Sequence, residues 1–391
     1  MGQEKIETTW ELVFILNNLT FSRNWENDYL AIIGPKDERY SSIKEQSPTT
    51  KKLLSNFVNQ RKQSFSPPIL IRKSNYPRPP KEPDSILAFR NILAISSIVK
   101  GWGISSTGCN ALYSDYFDLY PLVPGKQGTI HTISSAMHDF DMGSRPFLGQ
   151  NSPHLPIDLS DVWTHTDELL LESLHEIWKG IFIGTTQETW TDTALFRSLQ
   201  MAYRAFQCPV RPIGSIYDYG THLVLFASAC EILCHPEKGD VGPKEVLELL
   251  HQYPFCEKRL RHKRYKFKRE TKAGKIVTET MTLAQKLYSQ IYDLRNDFIH
   301  GNKVTDSSLR ASTNKKRKPL TWAMPIIYRT LLYAFLKKNY QPASLTFDDI
   351  KAGNTLRDYI TDPTNNPAFA RKFYNHTINR CYEEALLQYA P

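Results

Sequence analysis

The residues best suited to chemistry stand together in one short stretch, Tyr292-Asp293-Leu294-Arg295-Asn296-Asp297-Phe298-Ile299-His300-Gly301. An imidazole can take or give a proton near neutral pH. A guanidinium offers a planar fork of donors that matches a phosphate. These are groups that RNA cleavage without a metal needs. The ribose 2′-OH is the internal nucleophile. A base takes its proton and an acid protonates the departing 5′-oxygen. A cation stabilises the charge that builds on the phosphate. His300 suits the acid or base, Arg295 the electrostatic role, and Asn296 the orientation of either His300 or the phosphate.

The stretch closes a predicted helix over residues 283–300, with Gly301 where helices favour a left-handed residue. At about 100° per residue, Leu287, Ile291, Leu294 and Phe298 fall on one apolar face. Tyr292, Asn296, Ser289, His300 and Asp293 fall on a second, polar face. Arg295 stands on the border between the two. It lies about 140° around the helix from His300, with Asn296 between them. The three converge on a ligand laid over the polar face. The helix end also favours a cation at His300.

Upstream lies a strongly basic segment, with Lys258, Arg259, Arg261, Lys263, Arg264, Lys266, Lys268 and Arg269 within a dozen residues. Tyr265 and Phe267 alternate with the lysines, as on a strand. Residues 272–275 read as a turn and 276–282 as a returning strand. The expectation is a basic β-hairpin set between two helices, able to contact phosphates and stack on bases. A solvated hairpin or a dimerisation arm is the plainer reading. A second basic run, Lys315 to Lys318, follows the motif and reads as a phosphate-contacting or solvated loop.

The remaining helices follow from apolar spacing and breakers. They are expected at 85–99, 160–181, 194–206, 218–234, 243–253, 325–340 and 366–389. The first third reads differently, with strands at 10–16 and 30–34 and a short amphipathic helix at 49–60. Residues 66–84 are proline-rich and expected to be extended or looped. A strand leading into a turn is expected at 117–125. The expected fold class is α+β: a mixed α/β N-terminal domain over 1–157, a mostly helical bundle over 158–345 with the inserted basic hairpin, and a helical extension over 346–391.

Arg-Asn-x3-His-Gly at a helix end resembles the Arg-x4–6-His signature of the HEPN superfamily, where a polar residue typically follows the Arg. Residues 190–207 and 223–233, with Ala229-Cys230-Glu231-Ile232-Leu233, look like earlier helices of the ApeA-like HEPN branch. The resemblance covers about residues 190–340 and implies a metal-independent endoribonuclease. It also implies that Glu231 packs near the Arg-His pair. Such domains pair about a twofold axis, and a homodimer would bring two histidines to one cleft, as an acid and a base require. A bacterial setting in anti-phage defence or as a toxin is implied too. Residues 1–157 would then sense a trigger or bind a regulatory protein. The alternative is a catalytically inactive HEPN module that binds RNA or protein. A basic hairpin also leaves DNA open as the ligand.

Composition agrees with a folded, polyanion-binding protein. The net charge of +9 favours RNA, DNA or an acidic partner. Aromatic residues make up 12%, too many for long disordered tracts. Six scattered cysteines make no disulfide framework, and the charged start has no signal-peptide core. No apolar run is long enough for a bilayer. A cytoplasmic protein is therefore expected, with no membrane partner. Cys230, Cys234 and His235 lack the tight paired spacing of a zinc site, and Gly101-Trp102-Gly103 lacks the rest of a phosphate loop. No cofactor is expected.

Overall fold

The structure is a computed structural model. It describes residues 9–58, 62–76, 82–104, 113–119, 122–124, 130–132, 147–148, 161–184, 186–208, 215–270, 276–312, 318–342 and 367–390. A mixed α/β region comes first, and a mostly helical region with a small β-hairpin follows. The chain divides into two compact units: residues 1–80 with 112–165, and residues 81–111 with 166–391. The expected boundary at 157 therefore does not match the contacts, because residues 81–111 group with the helical unit.

The first unit holds a four-stranded antiparallel sheet in the order β1-β5-β3-β2, formed by β1 (Trp10–Ile15), β2 (Trp25–Glu26), β3 (Leu30–Ile33) and β5 (Ile69–Lys73). Strand β3 is buried along its whole length. Helices α1 (Glu38–Glu45) and α2 (Pro48–Ser55) pack Tyr40, Ile43, Leu53 and Leu54 into the same core. One expectation needs correction here. The helix expected at 49–60 ends at Ser55, and Phe57 instead begins the short strand β4 (Phe57–Val58), fully buried. The proline-rich stretch contains β5, an interior strand. Pro67 and Pro68 precede the strand and no proline lies within it, so no ladder donor is lost, and Ile69-Leu70-Ile71 fill the gap between β1 and β3. Short pairs complete the strands: β6 (Leu122–Pro124) with β7 (Ile130–Thr132), and β4 with β8 (Phe147–Leu148). Residues 114–117 form a 3-10 turn that takes in Phe117, so the strand expected at 117–125 is seen, among the described residues, only as β6. Helix α4 (Val162–His165) ends the unit.

The helical unit opens with α3 (Glu82–Ile104), longer at both ends than expected; at its start, Pro83 suits a first turn. It packs on α5 (Glu168–Trp178), α6 (Trp190–Ala205), α11 (Leu320–Asn339) and α12 (Pro367–Leu387). Helix α5 passes into one π turn at Lys179–Ile183. Helix α6 starts at Trp190, not at Ala194. Thr189 and Asp192 cap it reciprocally, which satisfies two of its orphan N–H groups. Ser215 and Asp218 do the same for α7 (Ile216–Leu233). Helices α8 (Pro243–His251) and α9 (Lys258–His262) lead to the hairpin, β9 (Tyr265–Glu270) against β10 (Ile276–Met281), antiparallel as read. Its turn, residues 271–275, lies outside the described residues, as do residues 313–317 of the second basic run and 343–366 of the tail. Helix α10 (Leu283–Ile299) follows at once, capped by Thr282 and Gln285. The Gln285 amide donates to the Leu247 carbonyl at 2.9 Å and ties α10 to α8.

Among the described residues, no helix is long and apolar enough to cross a membrane.

Candidate functional site

Of the apolar face read from the sequence, helix α10 buries Leu287, Ile291 and Leu294 and half-buries Phe298, and it buries Leu283 as well. Ser289, assigned to the polar face, is buried instead. The hairpin covers it, and its hydroxyl meets the Gln285 carbonyl at 3.0 Å and the Met281 sulfur at 3.5 Å. Against α7 the approach is close. A Cβ on Gly220 would overlap the Phe298 ring, so only glycine lets the end of α10 pack on the start of α7.

The helix then stops on a left-handed residue. Gly301 has φ +69°. Asn302 N–H bonds the Asp297 carbonyl at 2.8 Å and Gly301 N–H reaches that of Phe298, closing the last turn. The Asn302 amide also donates to the Asp297 carboxylate at 3.0 Å. His300 is the C-cap. Its N–H bonds the Asn296 carbonyl at 2.9 Å, and its side chain is exposed.

Arg295 leans back toward the start of α10, as side chains on a helix do. Its guanidinium meets the Glu231 carboxylate of α7 at 3.5 Å and donates to the Asn296 side-chain oxygen at 3.0 Å. It also lies over the Tyr292 ring, 5.4 Å from the centroid. Its Nε–H is shielded from solvent and finds no acceptor among the described residues, so the group has hydrogen-bonding capacity left. Glu231 is buried, and that burial pushes its carboxyl above the usual carboxylate range, with Arg295 pulling the other way. Arg295, Asn296 and Glu231 thus come together, while His300 stands at the helix end. Tyr292 is the member that residue-type reasoning passed over. Its spacing of three residues before Arg295 was the available signal.

The basic segment divides into working surface and structural support. Lys258, Arg259, Lys263, Arg264 and Lys266 are exposed. Arg261 is committed elsewhere, donating to the Phe255 carbonyl at 2.7 Å and the Cys256 carbonyl at 3.2 Å. Tyr265 is 7% exposed, with the ammonium groups of Lys263 and Lys286 over its ring at 5.3 and 5.9 Å. It packs the hairpin onto α10 and has no free face for a base, contrary to the stacking role read for it. Phe267 is half-buried. The side chains of Lys268 and Arg269 lie outside the described residues.

The hairpin joins α10 at Leu283 and the motif ends it at His300. At about 1.5 Å per residue the two lie roughly 25 Å apart. A polyanion contacting both would have to run along the helix.

Among the described residues, no three His, Cys, Asp or Glu side chains gather as a metal-holding group. Cys230 is buried in α7, and burial raises its thiol well above the ordinary value. No family model, no curated protein and no solved structure matches this chain.

Proposed function

We propose that the chain is a metal-independent endoribonuclease of the HEPN kind, acting at a site shared by two copies. The supporting observation is the guanidinium of Arg295, fixed by Glu231, Asn296 and Tyr292, on the helix that exposed His300 caps. In this reading the 2′-OH loses its proton to one imidazole and attacks the adjacent phosphorus. The 5′-oxygen leaves with a proton from a second imidazole, and a 2′,3′-cyclic phosphate remains. Arg295 stabilises the extra charge on the phosphate. One copy offers one His300, so the acid–base pair requires a twofold partner. Tyr217 is 80% exposed and Ile299 48%, at the end of the α7–α10 pair where His300 lies. Exposed apolar side chains at that end favour a partner there. The exposed lysines and arginines before α10 supply the phosphate contacts.

The test is cleavage of RNA with analysis of the product ends. Wild type is expected to leave cyclic phosphate in EDTA, and His300→Ala and Arg295→Ala to lower the rate about 100-fold or more. Equal rates in all three, or 3′-hydroxyl ends, would remove the proposal.

A further inference from the structure

We propose that the helical unit holds a second binding site, a cleft for a small organic cation with an apolar body, at the end of α7 away from His300. It does not depend on the ribonuclease reading. The cleft measures about 450 Å³ and lies where the start of α6, the end of α7, α8 and the end of α11 meet. That volume suits a small molecule. Its lining includes four buried apolar side chains, Ala194, Leu233, Leu249 and Phe335, with the half-buried indole of Trp190 beside them. The four close the floor, and the indole with the exposed Pro236 gives an apolar body a surface to cover.

The charged lining sets the sign of the ligand. Glu237, Glu245 and Glu248 line the cleft against one ammonium, Lys338. Glu245 stays ionised, because its carboxylate accepts the Gly242 N–H at 2.9 Å and this lowers its pKa. Glu248 has only a long contact to Lys244, 3.8 Å, between two exposed side chains. An anion would meet net repulsion and a cation net attraction.

One lining group also lacks a partner. The Nδ1 of His235 is shielded from solvent and makes no hydrogen bond among the described residues. The residue is otherwise fixed: its carbonyl accepts the Trp190 indole N–H at 2.8 Å and its ring meets the indole edge-on. With the ring proton on Nε2 this nitrogen is an acceptor, and an ammonium or amidinium carries donors to spare. Cys234, also in the lining, has its thiol pushed up to about 12 by burial, so it adds no negative charge.

Benzamidine, benzamide and benzoate share one shape and differ in charge, so they test the proposal on the full chain. Calorimetry and saturation-transfer NMR are expected to show benzamidine bound about tenfold tighter than benzamide, and benzoate not bound. The Glu237→Gln/Glu248→Gln variant changes only exposed side chains. It is expected to keep the wild-type melting curve and lose most of the preference for benzamidine over benzamide. Silence from all three ligands, equal binding of benzamidine and benzamide, binding of benzoate, or an unchanged preference in that variant would each overturn the proposal.

Discussion

At the scale of single residues, Arg295 is held in place before any ligand arrives and keeps donors to spare. It touches a carboxylate, an amide oxygen and a ring. Glu231 shares this arrangement unequally, since its burial outweighs the attraction of Arg295 and raises its pKa. A raised carboxyl binds its proton more tightly folded than unfolded. Its contribution to stability is therefore full below the ordinary value of 4.5 and is lost as pH rises through the raised value. Denaturant melts across pH should show Glu231→Gln losing less stability than wild type as pH climbs above 4.5. Arg295, Asn296 and His300 were legible because helical spacing fixes their angles about one axis. Glu231 came from a resemblance between helices distant in sequence. Spacing within α10 carried no information about α7, and a residue count cannot reveal which way a long side chain leans.

At the scale of elements, the end of α10 rests on two glycines that act differently. Gly301 needs its left-handed backbone and has open space around its Cβ position. Gly301→Ala is expected to cost about 1 kcal/mol in thermal or denaturant melts, with no packing change. Gly220 needs the absence of a side chain. Gly220→Ala is expected to cost about 1–3 kcal/mol by pushing Phe298 away, and Phe298→Leu should recover part of it. The hairpin separates in the same manner. Changing Lys263, Arg264 and Lys266 to Ala is expected to lower the salt slope of single-stranded RNA binding by about 2, measured by titration at several salt concentrations. Arg261→Ala should chiefly destabilise the fold, because its donors already serve two carbonyls. The hairpin itself was readable from alternation and a turn. The burial of Tyr265 was not, since alternation gives two faces without saying which one meets α10. Strand β5 was legible only as extended or looped chain for a related reason: the prolines around it say nothing of the neighbouring strands that make it interior.

At the scale of the molecule, the helical unit is tied together by a charge at its centre. Arg329 is fully buried and meets Asp167, equally buried, at 3.3 Å. It donates to Tyr253 at 3.1 Å and lies over the rings of Tyr333 and Tyr382, which joins α5, α11, α12 and the turn after α8. Arg329→Met strands the Asp167 carboxylate and is expected to cost about 3–5 kcal/mol in urea unfolding. The double variant with Asp167→Asn should cost less than the two changes summed. This pair was invisible beforehand, because an arginine within the apolar run of α11 does not announce a partner so far away in the chain. Helix α3 has the same property on a larger scale. It buries Ile92, Leu93, Ile95, Ile98 and Val99, and it packs on α11 and α12, which are made last. During synthesis α3 leaves the ribosome long before those partners exist, and the strands of the first unit are translated on both sides of it. Helices α5 and α6 cover part of its apolar surface in mid-chain, and the part that α11 and α12 cover must wait through most of translation. A gene trimmed to begin at residue 158 would omit α3 altogether, and the remaining helices would lack one wall of their core.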